Sequence, residues 1–201
     1  MAAWTAASID DSSLMQLLAA FGLAGATGLN ATLPLLIVSL LARLGLVHLA
    51  HPYDALESDI AFWGLLVLAV IEFAIDKVPA VDSIGHAVMA PVAIAAGAIL
   101  FASQTGTIGS VHPGLLVLAS LLVGGAVSGT VHVSRAVARP VLNLGLLGPP
   151  VSLLEDAVSA MLTFASALIP IVVPLLLVLL VAGAVVLWHR RGAARTRQAV
   201  R

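Results

Sequence analysis

The polar positions of this chain are few and bunched, and the apolar runs between them set the reading. From Leu14 to Val47 the sequence is almost continuously apolar, interrupted at Gly25-Ala26-Thr27-Gly28-Leu29-Asn30. That run is too long for one membrane crossing of about 20 residues, and its halves are short for two. Asn30 is suited to cap a new helix, with Pro34 in or near the first turn, where proline is tolerated. The pattern predicts a tight helical hairpin or a broken, partly re-entrant pair, with Arg43 near its end. His48, His51, Pro52, Asp54, Glu57 and Asp59 then mark residues 48–59 as a loop. The next helix is expected from about Ile60 to Lys77, stopped by Pro79. Asp82 or Ser83 is placed to cap its successor, which runs to about Ser103 with Pro91 inside.

An uncharged loop over 104–113 leads to a helix from Gly114 to about Arg139. It carries Gly124, Gly125, Ser128 and Gly129, small residues that let helices pack closely. Pro140 to Pro150 reads as an irregular connector. Ser152, with Glu155 three residues later, has the spacing of a capping box. Apolar sequence then continues to Trp188, with breaks around Ile169-Pro170 and Pro174. The fold class is therefore all-α: a polytopic transmembrane bundle of about six to seven segments, some broken or re-entrant.

Composition supports the membrane assignment. The chain is 61% hydrophobic and only 9% charged, against about 25% charged in soluble domains. A single bundle over residues 12–189 is expected, with a flexible tail at 1–11 and a basic tail at 190–201. Net charge −1 argues against nucleic acid as a partner. The absence of cysteine removes disulfides, thiolate metal sites and cysteine nucleophiles. The first residues lack a positively charged n-region, which argues against a cleaved signal peptide. Trp4, Trp63 and Trp188 lie near segment ends, as an interfacial belt would place them. An internal echo, Gly64–Ala69 against Gly114–Ala119 and His86–Pro91 against Arg135–Pro140, marks a candidate duplication with units 63–112 and 113–168.

The tail from His189 to Arg201 holds five arginines, and the positive-inside rule puts it in the cytoplasm. Counting back through seven segments puts Lys77, Arg135 and Arg139 on the same side and the acidic 48–59 loop outside. Arg43 breaks the rule. The Gly25–Asn30 break, Glu72 to Asp82, Arg135 to Asn143 and Glu155-Asp156 then converge on one level of the bundle.

Ionisable groups at membrane depth are costly and often mark function. Glu72 and Asp76 share a helix face by their spacing, and such a pair can take a cation or shuttle a proton. The bland alternative is an ion pair with Arg135 or Arg139. His132, Arg135 and Arg139 also share a face, and an arginine fork can hold a carboxylate or phosphate. Lys77, at a helix end, can simply snorkel to the interface. Glu155 and Asp156 suit a helix start, and can also complete an ion-pair network. Asn30 and Asn143 sit beside expected backbone breaks, where freed amides and carbonyls bind ions. The binding candidates are thus Glu72, Asp76, Arg135, Arg139, Asn143, Glu155, Asp156 and Asn30. No catalytic residue, metal site or cofactor is expected.

Four motifs together resemble a known family. They are Gly28-Leu29-Asn30-Ala31-x-x-Pro34; Glu72-Phe73-x-x-Asp76-Lys77-Val78-Pro79-x-Val81-Asp82; Ala138-Arg139-Pro140-Val141-x-Asn143; and Gly148-x-Pro150-x-Ser152-x-x-Glu155-Asp156. The combination is similar to the bacterial membrane family catalogued as domain of unknown function 4126, over about residues 20–190. That resemblance implies a multi-pass protein of the bacterial inner membrane and brings no activity with it. The leading expectation is a small transporter or channel-like protein, with Glu72 as the cation-binding or titrating group. Its partners would be the bilayer and a small ion, an anionic solute or a lipid headgroup. A membrane enzyme or carrier acting on lipid phosphates, and a non-catalytic scaffold, are the alternatives.

Overall fold

Small residues decide which helix lies at the centre. Helix α1 (Asp11–Leu29) carries Ala20, Ala24 and Ala26 fully buried, together with Gly22, Gly25 and Gly28. This gives neighbouring backbones room to approach, and α4 (Pro79–Thr105), α5 (Pro113–Leu144) and α6 (Gly148–Leu168) all pack on it. The structure is a computed structural model that describes residues 11–77, 79–105, 112–144, 148–176 and 178–179. Those residues are all-α, with no strand among them.

Close approach is most severe where α1, α4 and α5 meet. A Cβ on Gly97 would lie 2.7 Å from the Gly124 carbonyl oxygen, and one on Gly28 would lie 2.6 Å from the Ser128 carbonyl oxygen. Only glycine fits such backbone contacts. Thr27 donates to the Ser128 hydroxyl at 3.0 Å, and Ser128 donates to the Ala93 carbonyl at 2.6 Å. Phe21 meets Phe101 edge-on at 5.2 Å. These pairs run α1 antiparallel to α4 and parallel to α5. Ser159 donates to the Ala26 carbonyl, and Gly25 faces Leu162, so α6 is antiparallel to α1.

Among the described residues, four helical stretches are long and apolar enough to cross a membrane: Ser12–Leu29, Val88–Thr105, Gly114–Val137 and Gly148–Leu168. Their packing brings Leu29, Val88, Val137 and Gly148 to the same side of the bundle. Helix α3 (Asp59–Asp76) is apolar apart from three carboxylates and presents Ile60, Trp63, Val67 and Val70 outward. Helix α2 (Leu33–Arg43) has 11 residues, about 16 Å at 1.5 Å per residue, roughly half the hydrocarbon thickness. The first apolar run is therefore one full-length helix, a break at 30–32, and one half-length helix. A loop containing the 3-10 turn Tyr53–Glu57 joins α2 to α3. After the 3-10 turn Pro170–Val172 the chain turns back along α6, so that Leu176 and Leu179 share an apolar recess of about 210 Å³ with Val158, Met161 and Leu162.

Several local expectations give way to longer helices. Helix α5 continues through Pro140 to Leu144, and α6 begins at Gly148, so most of the stretch expected as an irregular connector over 140–150 is helical, and 145–147 lie outside the described residues. Pro149 and Pro150 fall in the first turn of α6, where their missing N–H groups cost nothing. Ser152 is therefore inside α6 rather than at its cap, and the Ser152–Glu155 capping box does not form. Helix α4 likewise starts at Pro79, ahead of the expected caps Asp82 and Ser83. A repeat of spacing 50 would set the α3–α4 break opposite residues 127–128, where α5 is continuous; helix boundaries do not repeat at that spacing. Trp4, Trp188 and the arginine tail lie outside the described residues.

Candidate functional site

The break between α1 and α2 leaves carbonyls exposed at one helix end and amides at the next. Side chains from elsewhere in the chain meet both. Glu72, 4% exposed, accepts from the Ala31 and Thr32 amides at 2.9 Å each and from the Thr32 hydroxyl at 2.6 Å. Within the break, Asn30 accepts from the Leu33 amide at 2.8 Å. Arg135 donates to the Gly28 carbonyl at 3.4 Å. A carboxylate thus stands at the positive end of α2 and a guanidinium at the negative end of α1, the favourable sign at each.

From this break the contacts spread into a layer. Arg135 pairs with Asp76 at 3.3 Å and with Glu155 at 2.9 Å. Lys77 donates to Asp156 at 2.7 Å and to the Ser152 hydroxyl at 2.8 Å. The other oxygen of Asp156 accepts from the Asn30 amide at 3.0 Å. Ser152 also faces Asp76 at 3.5 Å. Asn30, Glu72, Asp76, Arg135, Glu155 and Asp156, spread over 126 positions of sequence, therefore meet at one end of the bundle, as the topology predicts. Arg139 and Asn143 lie on the last turns of α5, and their side chains fall outside what the structure describes.

Helix α3 shows what the layer does mechanically. Its buried residues are Glu72 and Asp76, one helical turn apart. Most of its apolar side chains are exposed, with Leu65 packed on the core and Ile75 against Gly85 of α4, and the two carboxylates supply its polar hold on the bundle at this end. Breaking one partner of a buried ion pair typically costs about 3–5 kcal/mol, because the other charge is stranded. A short list of charged contacts thus helps to fix where the end of α3 sits.

The sequence expectation for Glu72 needs refinement. Both of its oxygens are engaged by the α1–α2 break, at Ala31 and Thr32, rather than by an arginine, an arrangement that spacing alone does not reveal. Lys77, which the sequence left free to snorkel or to pair, is tied to α6. A further signal was present in the sequence: Ser152, Asp156, Ser159, Thr163 and Ser166 recur at helical spacing and form one buried face of α6 against α1. Their hydroxyls bond mostly to backbone carbonyls, as in Ser159 to Ala26, Thr163 to Ser159 and Ser166 to Leu162. Among the described residues, no three His, Asp or Glu side chains are arranged to share a metal ion.

On the opposite side, Arg43 pairs with Asp59 at 2.6 Å and bonds to the Glu57 carbonyl. His48, His51 and His112 are exposed, as expected of loop residues.

The family described as "Domain of unknown function (DUF4126)" matches residues 17–190, a span that includes the whole charged layer. No curated protein and no solved structure matches the chain.

Proposed function

The chain belongs to the DUF4126 family, and from that premise we propose that it is a small membrane transporter or channel-like protein whose charged layer is a closed gate at one face. The observation that carries this reading is the layer itself. Five ionisable side chains, Asp76, Lys77, Arg135, Glu155 and Asp156, pair with one another beside the α1–α2 break, and Glu72 binds the backbone of the break itself. Discontinuous helices that meet charged groups at a break are a recurring design of transporters. The positive-inside rule, applied to the arginine tail, supports a cytoplasmic setting for this face. A bacterial inner membrane is the compartment that fits the reading.

The gate would open by exchange of ion-pair partners rather than by melting of helices. Among the described pairs of this layer, Lys77–Asp156 has the greatest access to water, its side chains being 19% and 10% exposed. Reconstituted vesicles carrying wild type, Lys77→Met or Asp156→Asn test this, with proton flux followed by an internal pH dye and Rb⁺ flux by counting. Both variants should raise the flux of at least one probe above wild type. Flux equal to protein-free vesicles in all three would overturn the reading.

One observation favours a second reading. Glu72 is fully engaged by backbone amides, as in a scaffold with no solute site, and the same assay decides between them. The lipid-phosphate alternative would require Arg135 to abandon two carboxylates, and no observation favours it.

A further inference from the structure

The ammonium of Lys77 has three hydrogens to place, and the structure gives it three partners. These are Asp156 Oδ2 at 2.7 Å, Ser152 Oγ at 2.8 Å, and the face of the Phe73 ring, whose centroid is 3.9 Å away. A carboxylate, a hydroxyl and a π face around one nitrogen form a seat for a primary ammonium. A seat with two oxygens is poor for a bare Ca²⁺-like cation, which takes about six to eight.

The seat is built without Lys77. Asn30 holds the far oxygen of Asp156, and Ser152 is directed toward Asp76. The occupant is tethered: Lys77 caps the end of α3, on a four-carbon stem, with a side chain that is 19% exposed. A tethered cation in a prebuilt seat behaves as an internal competitor for a free one.

We propose that this seat, formed by Asp156, Ser152 and Phe73, is a binding site for a primary ammonium group, which displaces Lys77 on arrival. The group belongs to a free amine or to an aminophospholipid headgroup, which share this chemistry. The idea that such a group is the cargo rests on the carrier reading above; the seat itself does not.

The test is thermal unfolding of the purified full-length protein with ethylammonium chloride as probe. In Lys77→Ala, and in Lys77→Gln as a second way of vacating the seat, ethylammonium should raise Tm saturably. Wild type should respond at about tenfold higher concentration, since a short tether supplies a competitor at roughly millimolar effective concentration. Tetramethylammonium, which has no N–H, should fail. Adding Asp156→Asn to Lys77→Ala should abolish the response. Nanodiscs with and without phosphatidylethanolamine separate the two sources. If the headgroup is the ligand, its presence alone raises Tm and blunts the effect of ethylammonium; if a free amine is, ethylammonium acts equally in both. The proposal is overturned if neither vacated variant responds, if tetramethylammonium does as well, or if wild type shows no response at any concentration. Absence of flux in vesicles alongside intact binding would count against the carrier reading and leave the seat standing.

Discussion

Replacing Glu72 by Gln removes a charge and keeps the shape, and its cost can be worked from the geometry. The carboxylate accepts three hydrogen bonds, two from the Ala31 and Thr32 amides and one from the Thr32 hydroxyl. An amide side chain has one acceptor oxygen and one donor nitrogen. In either orientation, the nitrogen faces an N–H that also needs an acceptor. At least one charge-assisted bond is lost, about 1.5–3 kcal/mol. The favourable charge at the start of α2 goes with it, up to about 2 kcal/mol in a buried setting. These two effects overlap, so about 3 kcal/mol is expected for Glu72→Gln. Thr32→Val removes only the hydroxyl partner and should cost about 1 kcal/mol. Reversible unfolding in mixed micelles reads both values. Hydrogen exchange over residues 30–36 should rise in Glu72→Gln while α5 stays protected. A Glu72→Gln stability within about 0.5 kcal/mol of wild type, with unchanged exchange, would refute the capping role and return Glu72 to the pool of free, titrating groups.

The other predictions concern distinct contacts. Arg135→Ala removes the guanidinium that Asp76 and Glu155 share and should destabilise in the same unfolding assay; Arg135→Lys should recover only part, since one ammonium cannot span both carboxylates and the Gly28 carbonyl as a fork does. Gly97→Ala drives a methyl group against Ser128 and the Gly124 carbonyl and should destabilise by about 1–3 kcal/mol, whereas Gly64→Ala, where nothing lies within 4 Å, should be neutral or stabilising. Arg43→Ala breaks an exposed pair and should change stability by less than about 1 kcal/mol.

The all-α membrane fold was legible because apolar runs and charge bunching encode it directly. Convergence was also legible for Asn30, Glu72, Asp76, Arg135, Glu155 and Asp156, since the order of the helices fixes which ends share a face; the Arg139 and Asn143 side chains lie outside the described residues. What escaped the sequence has a common cause. Pro79 does separate α3 from α4 as expected, but Pro140 is carried inside α5 and Pro149 and Pro150 fall in the first turn of α6, so a proline alone does not tell a stop from a start or a tolerated interior position. The role of Glu72 escaped because its partners are backbone amides 40 and 41 positions away, which no residue pattern announces. Lys77 was underrated for a related reason: a lysine at a helix end usually reaches water, and only the packing of α6 shows that it reaches Asp156 first.

The central claim, that paired charges seal one face, is tested most directly by exchanging Lys77 and Asp156. Rb⁺ and proton flux should be low in wild-type vesicles, raised in Lys77→Asp and in Asp156→Lys, and returned most of the way to the wild-type level in the double exchange. A double exchange that leaks as much as either single variant, or single variants as tight as wild type, would contradict it.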